Sequence, residues 1–408
     1  MAHPLEQSMK LSHLKRSMLS LPISFFALLL LLLLSYNAFT VFSFHVPKHT
    51  TPLLHSPSPL SVPASSLNST LFNNTLSPLL PNTTQSFSLS SHRSRRVRKH
   101  KRGLRSLRSE PNFPLSPFRA RLKAFFNNTS SCKVRFFMTW ISPLKGFGER
   151  EFVSVESLFK SHPQACLVIV SKSLDSHLGT RILKPFVSKG FKVIAIAPDF
   201  GYIFKDTHAE AWFNRLKEGN VNPGEVSLGQ NLSNLLRLAL LYKFGGAYID
   251  ADVMVLKSFS KLRNTIGAQN FDALTGKWSR LNNAVLIFDK KHPLLFKFIE
   301  EFALTFDGNK WGHNGPYLIS RVVARVSGRP GFNFTVLPPS AFYPVDWRGI
   351  RSLFRDQVRS KWLVKKMDQI RKESLAVHLW NRHSRKLKVV KGSIVDTIIS
   401  SCCIFCNT

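Results

Sequence analysis

Two aspartates one residue apart, Asp250 and Asp252, follow a glycine pair in the stretch Tyr-Lys-Phe-Gly-Gly-Ala-Tyr-Ile-Asp-Ala-Asp-Val-Met-Val-Leu, residues 242–256. In extended chain successive side chains alternate faces, so both carboxylates are expected on one side of a strand end and Ala251 on the other. At about 4 Å and an effective dielectric near 20, each like-charge contact costs roughly 4 kcal/mol. The pair therefore disfavours its own ionisation unless a cation lies between the two groups. A divalent metal takes hard oxygen ligands of this kind and lets substrate phosphates complete its shell. The chemistry suggested is the handling of a diphosphate through a metal ion. A bare Asp-x-Asp also occurs on solvated turns, so the surrounding elements decide between the two readings.

The segment before the pair, Asn231 to Phe244, places Leu232, Leu235, Leu236 and Ala239 at helical spacing. Most other positions there are apolar, which predicts a helix buried nearly all round, with Gly245 as its C-terminal stop. Arg237 is the one charge in its middle. A buried guanidinium needs partners, either a structural carboxylate or the phosphates of a ligand. Further back, Lys133–Trp140, Leu167–Ser171, Lys192–Ala197 and Ala247–Leu256 are short Val/Ile/Phe-rich runs. Amphipathic stretches near Arg150–Ser161, Thr180–Lys189 and Asp206–Lys217 separate them. Strands alternating with helices predict an α/β fold, a single domain with a mainly parallel central sheet flanked by helices. Ligands in such sheets sit beyond the carboxyl ends of the strands, where the aspartates fall.

Arg237-x-x-x-Leu-x-x-x-Gly-Gly-x-Tyr-x-Asp-x-Asp252 resembles the signature of retaining glycosyltransferases with a GT-A fold. More narrowly, the chain resembles the globotriaosylceramide synthase family of alpha-1,4-galactosyl- and alpha-1,4-N-acetylglucosaminyltransferases, plant members included. Further matching segments are Val155-Glu-Ser-Leu-Phe-Lys-Ser-His-Pro, Leu281-Asn-Asn-Ala-Val-Leu-Ile-Phe, Trp311-Gly-His-Asn-Gly-Pro, Leu337-Pro-Pro-x-Ala-Phe-Tyr-Pro and Ala376-Val-His-Leu-Trp-Asn. They span about residues 133–400 in the family's order. The resemblance implies transfer of a hexose or N-acetylhexosamine from a UDP-sugar to a glycan or glycolipid acceptor, with retention, in an α linkage expected to be 1,4. Where the wider superfamily has an aspartate for the nucleotide ribose, this chain has Asn234.

The same resemblance distributes the site residues. Asn234, Arg237, Asp250, Asp252 and Trp380 fall on the donor nucleotide. Asp250, Asp252 and His378 fall on a metal, Mn(II) first and Mg(II) second. From its residues alone, His378 in an apolar run reads equally as a packed core histidine. Asn282 and Asn283 precede a buried run and read locally as a turn cap; the resemblance places them in the sugar pocket. Trp311-Gly-His-Asn-Gly-Pro suits a sugar-stacking loop ahead of a helix at Tyr317–Val326, with a packed tryptophan as the alternative. By analogy, His313 or Asn314 stands near the anomeric carbon. Neither is a carboxylate nucleophile, which favours front-face displacement. A catalytically weak, membrane-tethered glycan-binding scaffold is the competing reading, made conceivable by Asn234.

The remaining chain concerns location. Of 408 residues, Met1–Ser20 carry Lys10, Lys15 and Arg16, and Leu21–Phe44 run uncharged with seven consecutive leucines at Leu28–Leu34. As a helix these 24 residues reach about 36 Å, enough for a hydrocarbon core of roughly 30 Å. Positive charge before the run predicts the N-terminus in the cytosol and residues 131–408 in the lumen, as a single-pass type II anchor, and the family resemblance implies the Golgi membrane. A cleaved signal peptide is the alternative. Residues 45–130 read as a disordered stem rich in Pro, Ser, Thr and Asn. Asn-x-Ser/Thr sequons occur there at Asn68, Asn73, Asn82, Asn127 and Asn128, and beyond it at Asn231 and Asn333. Net charge is +34, and Arg93–Arg108 hold nine Lys/Arg in sixteen residues. No aromatics are interleaved for base stacking, which argues against a nucleic-acid partner. Five cysteines in a lumenal chain permit disulfides. Cys132 and Cys166 precede neighbouring strands, while Cys402, Cys403 and Cys406 crowd the tail. The count is odd, so one thiol is free or pairs between chains as a homodimer.

Overall fold

Largely apolar runs of four or five residues, mostly buried, build the parallel half of the sheet. The computed structural model describes residues 117–127, 132–272, 274–356 and 360–406. The expected cytosolic tail, anchor and most of the stem, with Asn68, Asn73, Asn82 and Asn128, lie outside these residues. Nine strands occur among them: β1 Arg135–Thr139, β2 Cys166–Val170, β3 Lys192–Ile196, β4 Gly246–Ile249, β5 Val253–Val255, β6 Thr265–Asp272, β7 Lys277–Phe288, β8 Thr335–Leu337 and β9 Ala376–His378. Seven form one sheet in the order β3-β2-β1-β4-β7-β6-β8, and β5 pairs with β9 in a second. β3, β2, β1 and β4 run parallel, β7 is antiparallel to both β4 and β6, and β8 is parallel to β6. The mainly parallel α/β expectation holds, with an antiparallel β6–β7 pair added.

Alternation along β1 shows why the strands are apolar throughout. Phe137 joins a cluster with Tyr248, Leu286 and the helices Leu228–Phe244 and Pro293–Thr305. Its neighbours Phe136 and Met138 join another with Val155, Leu158 and Phe186, from the helices Glu149–Ser161 and His177–Ser188. A sheet covered on both sides needs apolar residues at odd and even positions alike. A third cluster packs Met254 and Val377 of the small sheet against Leu363, Ile370 and Ile398.

The helix Leu228–Phe244 positions the site. It starts one turn before the expected Asn231, because the Ser227 side chain accepts from the Gln230 N–H. Gly245 ends it at φ +66°, where a Cβ would stand 2.7 Å from the Lys290 nitrogen. Asn231 is buried in this helix, whereas Asn127 and Asn333 are exposed. Cys132 and Cys166 form a disulfide tying the approach to β1 to the start of β2, with Cα atoms 5.4 Å apart. Cys403 pairs with Cys406, leaving Cys402 as the free thiol, buried. Among the described residues no helix is long and apolar enough to cross a membrane.

Candidate active site

Asp250 and Asp252 do not lie along one continuous strand. β4 stops at Ile249, β5 starts at Val253, and the two belong to different sheets. Between them the Val253 N–H donates to the Asp250 carbonyl at 3.1 Å, closing a four-residue turn. The carboxylates converge through this turn, not through strand alternation, and Ala251 packs into the core. The turn stands at the carboxyl end of β4, where the parallel sheet was expected to place it.

Asp250 is held from behind by the Leu228–Phe244 helix. Arg237, 2% exposed, donates from Nη1 to Asp250 Oδ2 at 3.1 Å and approaches Oδ1 with Nη2 at 3.0 Å. The same guanidinium donates to the Asn283 carbonyl at 2.7 Å and to Ser233 Oγ at 3.1 Å, and stands 4.5 Å from the Tyr248 ring centre. Of the two partners left open for it, the structure provides the carboxylate. Burial opposes its charge, but Asp250 more than offsets this and raises its pKa. Tyr248, whose pKa burial pushes up, donates its hydroxyl to Asp250 Oδ1 at 2.8 Å.

Asp252 is held from the other side. The Asn381 N–H donates to its Oδ2 at 2.7 Å, and His378 Nε2 lies 3.2 Å from its Oδ1. Burial would raise Asp252, yet the His378 ring and these hydrogen bonds hold it below the usual carboxylate range. Burial would likewise depress His378, and the Asp252 and Asp250 carboxylates overcome this and raise it. Asp250, Asp252 and His378 each offer one ligand atom within 4.8 Å of the others. Two carboxylates and one imidazole fit Mn(II), and Mg(II) less well. Behind them, Glu151 accepts from Asn381 Nδ2 at 3.1 Å and from Arg385 Nη2 at 3.0 Å. Trp380 lies 4.3 Å from the His378 ring centre, with its indole N–H on the Val345 carbonyl. Its backbone is left-handed at φ +53°, which is strained for a bulky side chain.

Arg237, Asp250, Asp252, His378, Trp380 and Asn381 line one cleft of about 570 Å³, within the range of small-ligand sites. Asn282 and Asn283 lie inside β7, not before it, and both line the cleft. Asn282 Nδ2 donates to Gln269 Oε1 at 2.9 Å, and Asn283 Nδ2 to Asn234 Oδ1 at 3.0 Å. Asn234 thus faces the cleft and a second amide. Trp311 is 51% exposed at the rim, covered by Arg382 at 3.6 Å from its ring centre. Gln269, on β6, was not anticipated, since a lone glutamine in a strand carries no motif.

His313 and Asn314, the expected catalytic residues, are not among the residues lining the cleft. The chain makes a π-type turn over His313–Tyr317 that buries Asn314 and leaves His313 half-buried. His313 Nε2 meets the Thr305 carbonyl at 2.8 Å. Asn314 is buried, donating to Asn231 Oδ1 and the Asp307 carbonyl and accepting from the Asp307 N–H. The same turn presents Gly312, Pro316 and Tyr317 to the cleft instead.

The family model described as the alpha 1,4-glycosyltransferase conserved region matches residues 287–408. A second, described as a glycosyltransferase sugar-binding region containing a DXD motif, matches residues 148–272. An uncharacterized protein of Arabidopsis thaliana is 33% identical over 311 residues, covering 73% of this chain and 45% of that protein. Lactosylceramide 4-alpha-galactosyltransferase of Mus musculus is 33% identical over 242 residues, covering 57% of this chain and 63% of the mouse protein. The matched region thus spans less than two thirds of either relative. The Pongo pygmaeus protein of the same name is 31% identical over 194 residues, which cover 46% of this chain and 82% of that protein.

Proposed function

The chain belongs to the alpha 1,4-glycosyltransferase family, and from that premise we propose that it moves a hexose or N-acetylhexosamine from a UDP-sugar to a glycan or glycolipid acceptor. The product linkage is α, expected to be 1,4, with retention of anomeric configuration. The working location is the Golgi lumen, behind a type II anchor at residues 21–44. One observation carries the reading: Asp250, Asp252 and His378 converge at the carboxyl end of β4 inside a ligand-sized cleft.

Each residue has a task. Arg237 and Tyr248 hold Asp250, while the Asn381 N–H holds Asp252, so both carboxylates are fixed before substrate arrives. A Mn(II) ion bound by these carboxylates and His378 would supply Lewis-acid stabilisation of the departing diphosphate. Asn282, Asn283 and Gln269 present amides for sugar hydroxyls, and Trp311 offers the ring face that Arg382 does not cover. Among the described residues lining the cleft, Asp250 and Asp252 are the only carboxylates, and both are engaged. This supports front-face displacement. The acceptor hydroxyl attacks the anomeric carbon from the side on which the carbon–oxygen bond to the diphosphate breaks, and its proton passes to the leaving diphosphate.

The test is UDP release by the lumenal fragment from a panel of UDP-sugars with Mn(II). One donor should be hydrolysed, and Asp252→Asn should slow release by about a hundredfold or more. A scaffold would bind UDP without releasing it from any donor. A sugar–protein adduct seen by intact mass would refute the front-face step.

A further inference from the structure

Charge bookkeeping around the cleft leaves a remainder that a UDP-sugar does not absorb. Four arginines line it. Arg237 is matched by Asp250, and Arg385 by Glu151. Arg280 and Arg382 have no carboxylate within ion-pair distance among the described residues. Each lies instead over an exposed rim aromatic, Arg280 at 4.2 Å from the Tyr317 ring centre and Arg382 at 3.6 Å from that of Trp311. Arg382 follows Asn381, whose N–H holds Asp252, and its side chain reaches the rim over Trp311.

Arg280 sits elsewhere. The Asp250 N–H donates to the Ala284 carbonyl, which sets Ala284 on β7 level with the aspartates. Arg280 is four residues further along β7, about 13 Å of strand away. It shares a face with Asn282, two residues on, which lines the sugar pocket. A guanidinium over a tyrosine ring, with no carboxylate partner, retains N–H groups for bidentate contact with a carboxylate. Residues 131–408, with 41 Lys/Arg against 21 Asp/Glu, add a field favouring anions.

We propose that the acceptor is an acidic glycan whose uronate carboxylate is bound by Arg280, stacked on Tyr317, at the end of the cleft away from the aspartates. This rests on the glycosyl-transfer reading and specifies its acceptor class. The experiment pairs a uronate-terminated oligosaccharide with the same oligosaccharide after reduction of its carboxyl to the neutral sugar, using the donor found by UDP release. Wild-type protein should prefer the uronate by roughly 10- to 100-fold in kcat/KM. Arg280→Met should remove that preference by raising KM for the acceptor, and Arg280→Lys should restore part of it. Equal use of the two acceptors by wild-type protein would overturn the proposal even if the variant failed to fold. So would an Arg280→Met effect falling on donor KM, or a preference for a phosphorylated oligosaccharide over the uronate. Failure of wild-type protein to release UDP from any donor, measured with no acceptor present, would instead refute the transfer reading.

Discussion

Asp250 and Asp252 look equivalent in the chain and are not equivalent in the fold. Asp250 balances Arg237, a group too basic to shed its proton, whereas Asp252 balances His378, which can lose one. Replacing Asp250 by Asn strands a buried guanidinium and should cost about 3–5 kcal/mol of stability. Asp252→Asn should cost markedly less, since neutral His378 tolerates its burial. Both variants should lose Mn(II)-dependent UDP binding. Urea denaturation beside UDP titration separates the two effects, and equal destabilisation would contradict the assignment of Arg237 to Asp250. Asn234 completes this scale. Its oxygen accepts from Asn283 within the cleft, so the amide that replaces the superfamily's aspartate is engaged with a neighbour.

Elements explain what could be read in advance. β1, β2, β3 and the helices between them were legible because unbroken apolar runs and amphipathic stretches have few other uses. The break between β4 and β5 was not, because Ala-Tyr-Ile-Asp-Ala-Asp-Val-Met-Val alternates smoothly and has no glycine or proline at the turn. The placement of His313 and Asn314 beside the cleft lining was not legible either, because motif proximity says nothing about a π-type turn over His313–Tyr317. Glycines at element ends were legible and carry a prediction. Gly246 opens β4 at φ +114°, with the position of a Cβ 2.5 Å from the Arg135 carbonyl oxygen. Gly246→Ala should therefore destabilise by about 2 kcal/mol or more, read from the denaturation midpoint. His162, closing the Glu149–Ser161 helix, accepts the Phe259 N–H on Nε2 at 2.7 Å. Burial lowers its pKa from 6.5 to about 4. Between those values the unfolded chain holds the extra proton, so stability falls with decreasing pH by up to about 1.4 kcal/mol per unit. His162→Gln, which can still accept from Phe259, should flatten that part of the pH profile.

At the scale of the molecule, two covalent and non-covalent closures hold distant chain together. The Cys132–Cys166 disulfide spans 34 residues. Its removal by Cys→Ser substitution should cost about 3–4 kcal/mol from the freed chain entropy, measured by denaturation against wild-type protein with the disulfide intact. The other closure is the turn at Asp250–Val253, where the seven-stranded sheet hands over to the pair β5–β9. One aspartate ends the first sheet, the other begins the second, and His378 arrives on β9 from more than a hundred residues downstream. An ion seated among the three is then a rivet between two pieces of architecture as well as a reagent. Heating curves should record it: at a hundred times its Kd, Mn(II) should add about 2.7 kcal/mol of resistance to melting, EDTA should withdraw it, and His378→Ala should make the curve indifferent to both.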